Sequence, residues 1–288
     1  MKAIFRRELR SCFTGMSGYV FTGFILLFAG IYTLIYNLSA GEACFERTLE
    51  RIAYIYLFAI PFLTMRSFTD ERHNGTDRLL YSLPVRLSRV ITGKFLAFSL
   101  VLLLPVSVMA LYPIILAAYA KVNLAAAYGA LGAFFLLGLS LISIGLFISS
   151  LCENQLTSGL LTLTVMLLIF FMQGLADLVP ADPLCSFIAL SLCVLLLVYP
   201  VWRLTFSALF SAGTGLCGII ALYVLYLSSP DRFTGAFSSV ARKLGLYERF
   251  YTFTGGVFDL TNVVFFLSVM LVFLCLTRTV LERRRWSL

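Results

Sequence analysis

The sequence contains few side chains that could act in catalysis or bind a metal ion. His73 is the only histidine, and the seven cysteines show neither CxxC spacing nor the Cys/His pairing of zinc and haem sites. No HExxH, GxSxG or GxxxxGK(S/T) sequence occurs, which argues against a metallopeptidase, a serine hydrolase and a nucleotide-binding P-loop. We therefore predict no catalytic residue and no metal site, and we interpret His73 as a solvated loop residue. Most cysteines lie in apolar runs, but a Cys44–Cys185 disulfide stays an open alternative.

The composition predicts that lipid, not water, surrounds most of the chain. Of the 288 residues, 60% are hydrophobic and 12% are charged, and the mean hydropathy is +0.96. Soluble domains carry about 25% charged residues. Because so few charges could not cover so much apolar surface in water, we predict an all-α, polytopic helical membrane protein. We expect residues 1–288 to form a single transmembrane domain.

Ionisable side chains are nearly absent from the middles of the long apolar runs. Asp177 and Asp259 fall at outer ends of these runs, and Glu153 falls in an inner turn. Carriers coupled to protons or sodium keep such groups inside the membrane, so this class is disfavoured. If the protein moves a substrate uphill, the energy must therefore come from another chain.

Eight membrane spans are expected, because a helix needs roughly 20 apolar residues to cross a ~30 Å hydrocarbon core. The run Leu184–Pro230 holds a single charge, Arg203. As a helix it would extend about 70 Å, which makes it two crossings. The run Ile52–Met65 is the shortest, and Arg51 and Arg66 would have to snorkel. The full set is Gly18–Leu38, Ile52–Met65, Phe95–Ala120, Val122–Leu151, Asn154–Ala176, two within Leu184–Pro230, and Leu260–Thr277.

The basic residues predict the orientation of these spans. With an inner N-terminus, most of the 22 Lys and Arg residues fall on inner segments, which concentrates the net charge of +8 on that face. Both termini are therefore predicted to be cytoplasmic. The first apolar run is too long for the h-region of a signal peptide, so we expect it to be retained as a span.

The N-terminal segment 2–13, KAIFRRELRSCF, predicts an amphipathic helix. At helical spacing Arg6, Arg7 and Arg10 share one face, whereas Glu8 falls near the apolar side. Such an elbow helix is typical of the membrane interface, with its arginines toward anionic head groups. A plain membrane anchor and a contact with a cytoplasmic partner both fit this pattern.

The inner loop over residues 66–94 is too short for a domain but carries a pattern. Gly75 can end the helix that leaves the second span, and Thr76 can cap a short helix over Asp77–Leu83. Pro84 would stop that helix. It exposes a small apolar knob among charges, formed by Leu79, Leu80 and Leu83. The knob would lie on lipid or fit a partner's groove, and we favour the partner.

The outer segment 231–259 includes the sequence SSVARKLGLYERF. Its Val240, Leu244 and Phe250 are loosely amphipathic. We expect a short helix on the outer membrane surface. The residues alone assign this segment no role in a transport pathway.

Four stretches, at the two ends and in the middle of the chain, resemble sequences of a known protein family. They are KAIFRRELRSCFTGMSGYVF at 2–21, PFLTMRSFTDERHNGTDRLLYSLPVRLSRVITGKFLA at 61–97, IGLFISSLCENQ at 144–155, and YERFYTFTGGVFDLTNVVFFLSVMLVFLCLTRTVLERRRW at 247–286. In this order they resemble the membrane subunits of ABC-2-type transporters. The likeness is greater to the gliding-motility-type and copper-enzyme-maturation-type permeases.

The resemblance implies a non-enzymatic permease subunit that docks two cytoplasmic ABC ATPase subunits. It also implies a dimer with a second copy or a homologous permease. The coupling element would be Asp70–Leu83, in which Glu71, Gly75 and Thr76 occupy motif positions of the family. The remaining residues of the implied ATPase contact are Asp70, Leu79, Leu80 and Leu83. The elbow helix would flank the contact with Arg6, Arg7, Glu8 and Arg10.

The resemblance also implies which chain binds ATP. ATP and Mg²⁺ would be bound by the partner ATPase, so no cofactor is expected in this chain. The expected location is the bacterial cytoplasmic membrane, with an accessory outer-face membrane protein as a further partner and no nucleic acid. The chain departs from compact members with six spans, because Leu184–Pro230 adds a pair before the last span.

Three classes of function are weighed on this basis. The leading hypothesis is a permease that couples ATP hydrolysis in another chain to export or movement of a substrate. The alternative is a membrane scaffold that recruits a cytoplasmic partner without transport. An intramembrane enzyme is disfavoured, because no catalytic grouping is evident.

Overall fold

The computed structural model describes residues 2–42, 44–75, 87–119, 122–178, 180, 182–205, 208–228, 233–256 and 258–286. All regular elements in these ranges are helical, as predicted. The helices are α1 (Lys2–Thr14), α2 (Ser17–Tyr32), α3 (Phe45–Ile52), α4 (Tyr56–Thr64), α5 (Thr69–His73), α6 (Leu87–Met109), α7 (Tyr112–Ala117), α8 (Leu124–Leu151), α9 (Gln155–Leu178), α10 (Pro183–Thr205), α11 (Ala208–Ser228), α12 (Ala236–Leu244), α13 (Leu246–Thr254) and α14 (Leu260–Trp286). A π-helical segment, Thr33–Ser39, continues α2.

Six helical runs in the described part of the chain are long and apolar enough to cross a membrane. In order they correspond to the first five predicted spans and the last. The runs are Ser17–Ser39, Phe45–His73, Leu87–Ala117, Leu124–Leu151, Gln155–Met172 and Leu260–Arg285. The two helices expected within Leu184–Pro230 are present as α10 and α11, but their described apolar parts, Pro183–Leu195 and Ala212–Leu227, are shorter. The count of eight spans therefore stays a prediction.

The second span differs most from its predicted bounds. The helical run extends over Phe45–His73, well beyond Ile52–Met65. It begins early because α3 is amphipathic, with Phe45 and Leu49 fully buried although charged residues lie between them. Burial of one face therefore carries the helix through residues whose charges suggested a boundary.

One compact unit comprises Met1–Leu167 and Arg249–Leu288, and α8 forms its core. Helices α3, α4, α6 and α14 pack around α8. The ring of Tyr56 stacks on Phe134 with centroids 4.4 Å apart, and the Tyr56 hydroxyl donates to the Phe134 carbonyl oxygen at 3.2 Å. Glycine lets α4 come close to α8, since a Cβ at Gly145 would lie 2.5 Å from Thr64 Oγ1.

A second compact unit comprises Leu168–Glu248. In it α10 packs along α11, and α12 packs on α10. Phe237 and Ala241 of α12 are buried in a small apolar cluster with Ala176. Arg242 forms an exposed ion pair with Asp177 at 2.7 Å. That carboxylate raises the pKa of the Arg242 guanidinium by hydrogen bonding and charge.

The predicted outer segment 231–259 contains two short helices, α12 and α13, where one was expected. Gly245 adopts an extended conformation and ends α12, so the helical periodicity restarts after it. Phe250 is buried, whereas Val240 and Leu244 are exposed. A location on the outer membrane surface stays a prediction.

Candidate functional site

Helix α1 packs against the beginning of α6. A glycine permits the close approach, because a Cβ at Gly93 would lie 3.2 Å from Ile4 Cγ2 and 3.6 Å from the Phe5 backbone nitrogen. A larger side chain at Gly93 would have to push α1 away. The position of α1 is therefore set by backbone contact with the bundle.

The two faces of α1 divide as the sequence predicts. Arg6, Arg7 and Arg10 are exposed, whereas Glu8 and Cys12 are buried against the bundle. Glu8 therefore lies on the buried, apolar face of α1, as the helical spacing predicts. A buried carboxylate requires a partner, because an unpaired charge away from water is strongly unfavourable.

The partner of Glu8 is Lys94 of α6. The Lys94 side chain is 1% exposed, and its Nζ lies 3.0 Å from Glu8 Oε1 and 3.2 Å from Glu71 Oε1. Lys94 Nζ also donates to the Ser67 carbonyl oxygen at 2.6 Å. Arg7 pairs with Glu8 at 2.8 Å and also with Glu71. We call Arg7, Glu8, Glu71 and Lys94 the Lys94 cluster; it joins α1, α5 and α6.

The Lys94 cluster compensates its own charges. Two carboxylates face two cations, and the three N–H donors of the Lys94 ammonium have three oxygen partners. The ammonium also lies 4.9 Å from the centre of the Phe68 ring. Partial burial acts to lower the pKa of Arg7, but the hydrogen bonds and charges of Glu8 and Glu71 raise it overall. These four side chains therefore hold the three helices together through ion pairs.

Cys12 lies beside this cluster, and its thiol has low reactivity at neutral pH. Burial, reinforced by the charge of Glu8, raises the pKa of the Cys12 thiol to about 11, although Lys94 acts in the opposite direction. A thiol with such a pKa is protonated at neutral pH and is a poor nucleophile. All seven cysteines are free thiols in the structure, whereas the alternative Cys44–Cys185 disulfide would join its two compact units and stays a prediction.

Arg72 connects α5 to the end of α8. Its guanidinium donates to the carbonyl oxygens of Ser150 and Cys152, and the Phe68 backbone N–H donates to Ser149 Oγ at 3.2 Å. The last carbonyls of a helix lack intrahelical partners and carry partial negative charge, so a cation is favourable there. Helix α5 is thus fastened to α8 on one side and to α1 and α6 on the other.

The structure describes only part of the predicted ATPase contact. Asp70 and Glu71 lie on α5, and His73 is exposed at its last position and not in a loop. Gly75 has a φ of +66° just after α5, which confirms that this residue ends the helix. The predicted helix Asp77–Leu83 lies outside the described residues, together with Thr76, Leu79, Leu80 and Leu83.

Lys94 and Arg72 are site residues that sequence patterns did not single out. Both fall in the predicted inner loop 66–94, which is rich in basic residues, so from sequence each only adds to the positive charge of the inner face. The available signal was Glu8, an acid on an apolar helix face that needs a buried cation. Choosing Lys94 from the many basic residues requires the fold.

Two clefts open at the ends of the first unit. One, of about 390 Å³, adjoins the Lys94 cluster, and its walls include Arg66, Ser67 and Asp70. The other, of about 440 Å³, is lined by α3 residues including Glu46 and Glu50, with the end of α13. There Thr254 Oγ1 donates to Glu50 at 3.2 Å, and burial, with the charge of Glu50, raises the pKa of Tyr251.

The charged side chains of this site connect helices to one another. Across the described ranges, no three His, Cys, Asp or Glu side chains are grouped so that they could hold a metal ion. The charges of the Lys94 cluster are mutually paired, and the thiol nearest to them is protonated. The cluster can make α1, α5 and α6 move together.

Long apolar helices, tied at one end by a buried charge cluster, define a multi-pass helical membrane protein. The sequence matches the ABC-2 family transporter proteins over residues 26–286, and the chain belongs to this family. It is therefore a membrane permease subunit of an ABC transporter, a class that generally works with a cytoplasmic ABC ATPase. No curated protein matches the chain significantly. The narrower likeness to gliding-motility-type and copper-enzyme-maturation-type permeases stays a prediction.

Proposed function

We propose that this permease subunit couples ATP hydrolysis in a separate cytoplasmic ATPase to export or movement of a substrate across the bacterial cytoplasmic membrane. Two ATPase copies would serve a permease dimer, formed with a second copy of this chain or a homologous permease. ATP and Mg²⁺ would bind to the ATPase, and this chain would carry no cofactor. Both termini would be cytoplasmic, as the distribution of basic residues supports.

The observation that supports coupling is the double attachment of α5. Glu71 ties this helix to Lys94 of α6 and to Arg7 of α1, while Arg72 ties it to the final carbonyls of α8. Packed helices move as rigid bodies and not by continuous deformation. A displacement of the element Asp70–Leu83 by an ATPase would therefore be passed to α6 and α8 together.

The arginine face of α1 extends this proposed contact surface. Arg6 and Arg10 are exposed and take no part in the Lys94 cluster, so they are available to flank a docked partner. An accessory membrane protein at the opposite face completes the proposed set of partners. We propose no nucleic-acid partner, since the positive charge is accounted for by membrane topology.

Purification of the tagged full chain in mild detergent tests this proposal. We expect a stoichiometric soluble chain with Walker motifs and vanadate-sensitive ATP hydrolysis. A chain that purifies alone, without ATPase activity or a response to nucleotide, would contradict the proposal. A bound partner with no nucleotide dependence would instead favour the scaffold alternative.

The ATPase contact itself is tested by Leu79→Asp. An acid within the apolar knob should abolish retention of the ATPase while the permease is recovered in normal yield. Leu244→Asp is the matched control, since it places the same change on an exposed leucine of α12. Equal ATPase retention by the two variants would count against the contact at residues 70–83.

A further inference from the structure

The cleft beside the Lys94 cluster contains one positive and one negative charge that the cluster does not neutralise. Arg66 and Asp70 both line it, and within the described ranges neither has an ion-pair or side-chain hydrogen-bond partner. Arg7, Glu8, Glu71 and Lys94, which line the same cleft, are already paired. Arg66 is exposed and Asp70 is half-buried, so the cleft presents one cation and one carboxylate that a zwitterionic ligand could pair with.

A buried hydroxyl in the same wall independently indicates a polar ligand. Ser67 is 5% exposed, lines the cleft, and its Oγ has no hydrogen-bond partner. Buried polar atoms in folded proteins are nearly always satisfied, so this hydroxyl, just beneath the cleft surface, has a hydrogen bond still to make. Its neighbour in the chain, Arg66, is the unpaired cation.

The cleft lies where apolar helix surface begins. Its walls include the buried apolar side chains of Leu63 and Phe98. Ser17, which begins α2, also lines it, and the nearby Met16, Tyr19 and Val20 of the α2 entry are 71%, 63% and 52% exposed. Exposed apolar residues at the start of a span are expected to face lipid, and we therefore infer that the cleft lies at the level of the head groups.

We propose that this cleft binds the head group of a membrane phospholipid that carries both a phosphate and a primary amine. Arg66 and the Ser67 hydroxyl are the groups for the phosphate, and Asp70 is the group for the ammonium. The acyl chains would follow the exposed apolar surface at the start of α2. An acidic head group without an amine would leave Asp70 unpaired, and a trimethylated amine has no N–H to donate. The site shares Asp70 with the proposed ATPase contact, so it is tested on the permease without its ATPase, where a failure of lipid binding leaves the coupling proposal untouched.

A binding titration of the detergent-purified full chain tests the site. The probes are dihexanoyl phosphatidylethanolamine, phosphatidylcholine and phosphatidylglycerol, with free phosphoethanolamine to separate a lipid from a soluble source. We expect phosphatidylethanolamine to bind most tightly. Asp70→Asn should weaken it about tenfold and remove its advantage over phosphatidylcholine, whereas Arg66→Gln should weaken all three lipids about tenfold.

Matched control variants show whether a change in lipid binding is specific to the cleft. Arg89→Gln and Asp182→Asn change exposed charges outside the cleft and should leave lipid binding unchanged. Ser67→Ala offers a milder cleft variant and should weaken phosphatidylethanolamine if Asp70→Asn or Arg66→Gln fails to fold. Equal affinity for the three lipids, or unchanged affinity in the cleft variants, would overturn the proposal. Equally tight binding of free phosphoethanolamine would overturn the assignment to a membrane lipid.

Discussion

Lys94 and Glu8 lie 86 positions apart in the chain and form a 3.0 Å ion pair in which both side chains are largely buried. This pair explains why an acidic residue interrupts the apolar face of α1. Glu71 adds a second carboxylate from α5, so one ammonium group holds three helices together. The pair thereby connects the N-terminal helix to the residues predicted to meet an ATPase.

Replacing Lys94 with Met should strongly destabilise the protein. Glu8 and Glu71 would stay largely buried while losing their main cation, and breaking a buried pair in this way costs about 3–5 kcal/mol. The free energy of unfolding in detergent should fall by that amount. Arg89→Met is the control, because Arg89 is exposed and its loss should change stability little.

The pairing itself is tested by the double variant Glu8→Gln/Lys94→Met. Removing both charges should cost less than the sum of the two single changes, since no uncompensated carboxylate stays at position 8. Strict additivity of the three unfolding free energies would show that Glu8 and Lys94 do not interact.

Gly145→Ala and Gly132→Ala should have opposite effects on stability. A Cβ at Gly145 would lie 2.5 Å from Thr64 Oγ1, whereas nothing lies within 4 Å of one at Gly132. Overpacking should cost about 1–3 kcal/mol at Gly145. At Gly132 the better helix propensity of alanine should add about 0.5–1 kcal/mol. Thermal unfolding compares the two, and similar shifts would refute the close contact of α4 with α8.

Arg72→Met should loosen α5 from α8. The change removes the donors to the carbonyl oxygens of Ser150 and Cys152, and hydrogen bonds from a charged group contribute about 1.5–3 kcal/mol. Amide hydrogen exchange over Thr69–His73 should therefore become faster, while exchange in the middle of α8 should be unchanged. The same exchange rates in Arg72→Met as in Arg89→Met would show that this attachment is not significant.

Cys12 should react slowly with a water-soluble maleimide at neutral pH. Its pKa of about 11 keeps the thiol protonated, so its rate should rise about tenfold per pH unit up to pH 10. A chain that retains only Cys12 would be compared with one that retains only the exposed Cys44. Faster labelling of Cys12 than of Cys44 at pH 7.5 would contradict its burial beside Glu8.

The raised pKa of Cys12 also determines the sign of a stability effect. Because the folded pKa lies above the ordinary thiol value of 9.0, the protonated thiol contributes stability that is fully present below pH 9. That contribution is lost as the pH rises through about 11. Unfolding midpoints of the chain with Cys12 should therefore decline more steeply above pH 9 than those of Cys12→Ala.

Much of the helical order was predictable because hydropathy is a local property. The first span, the fourth span and the start of the last are within two residues of their predicted ends. The second span was less predictable, since the charged turn of α3 becomes helical only through burial of Phe45 and Leu49. Helix α3 packs against α8, which is distant in the sequence, so the residues of α3 alone do not reveal this burial.

The sequence by itself determined that the chain is a polytopic helical membrane protein, and it indicated α1, the break at Gly75 and the family. These follow from apolar run length, helical periodicity and short motifs, which act over neighbouring residues. Only the tertiary structure decided that Lys94 faces Glu8 and Glu71, that Arg72 reaches the end of α8, and that Arg66 and Asp70 line one cleft with no ion-pair partner among the described residues. Ion pairing between distant segments depends on which helices pack together, and many arginines and lysines in the sequence are equally suited to each acid.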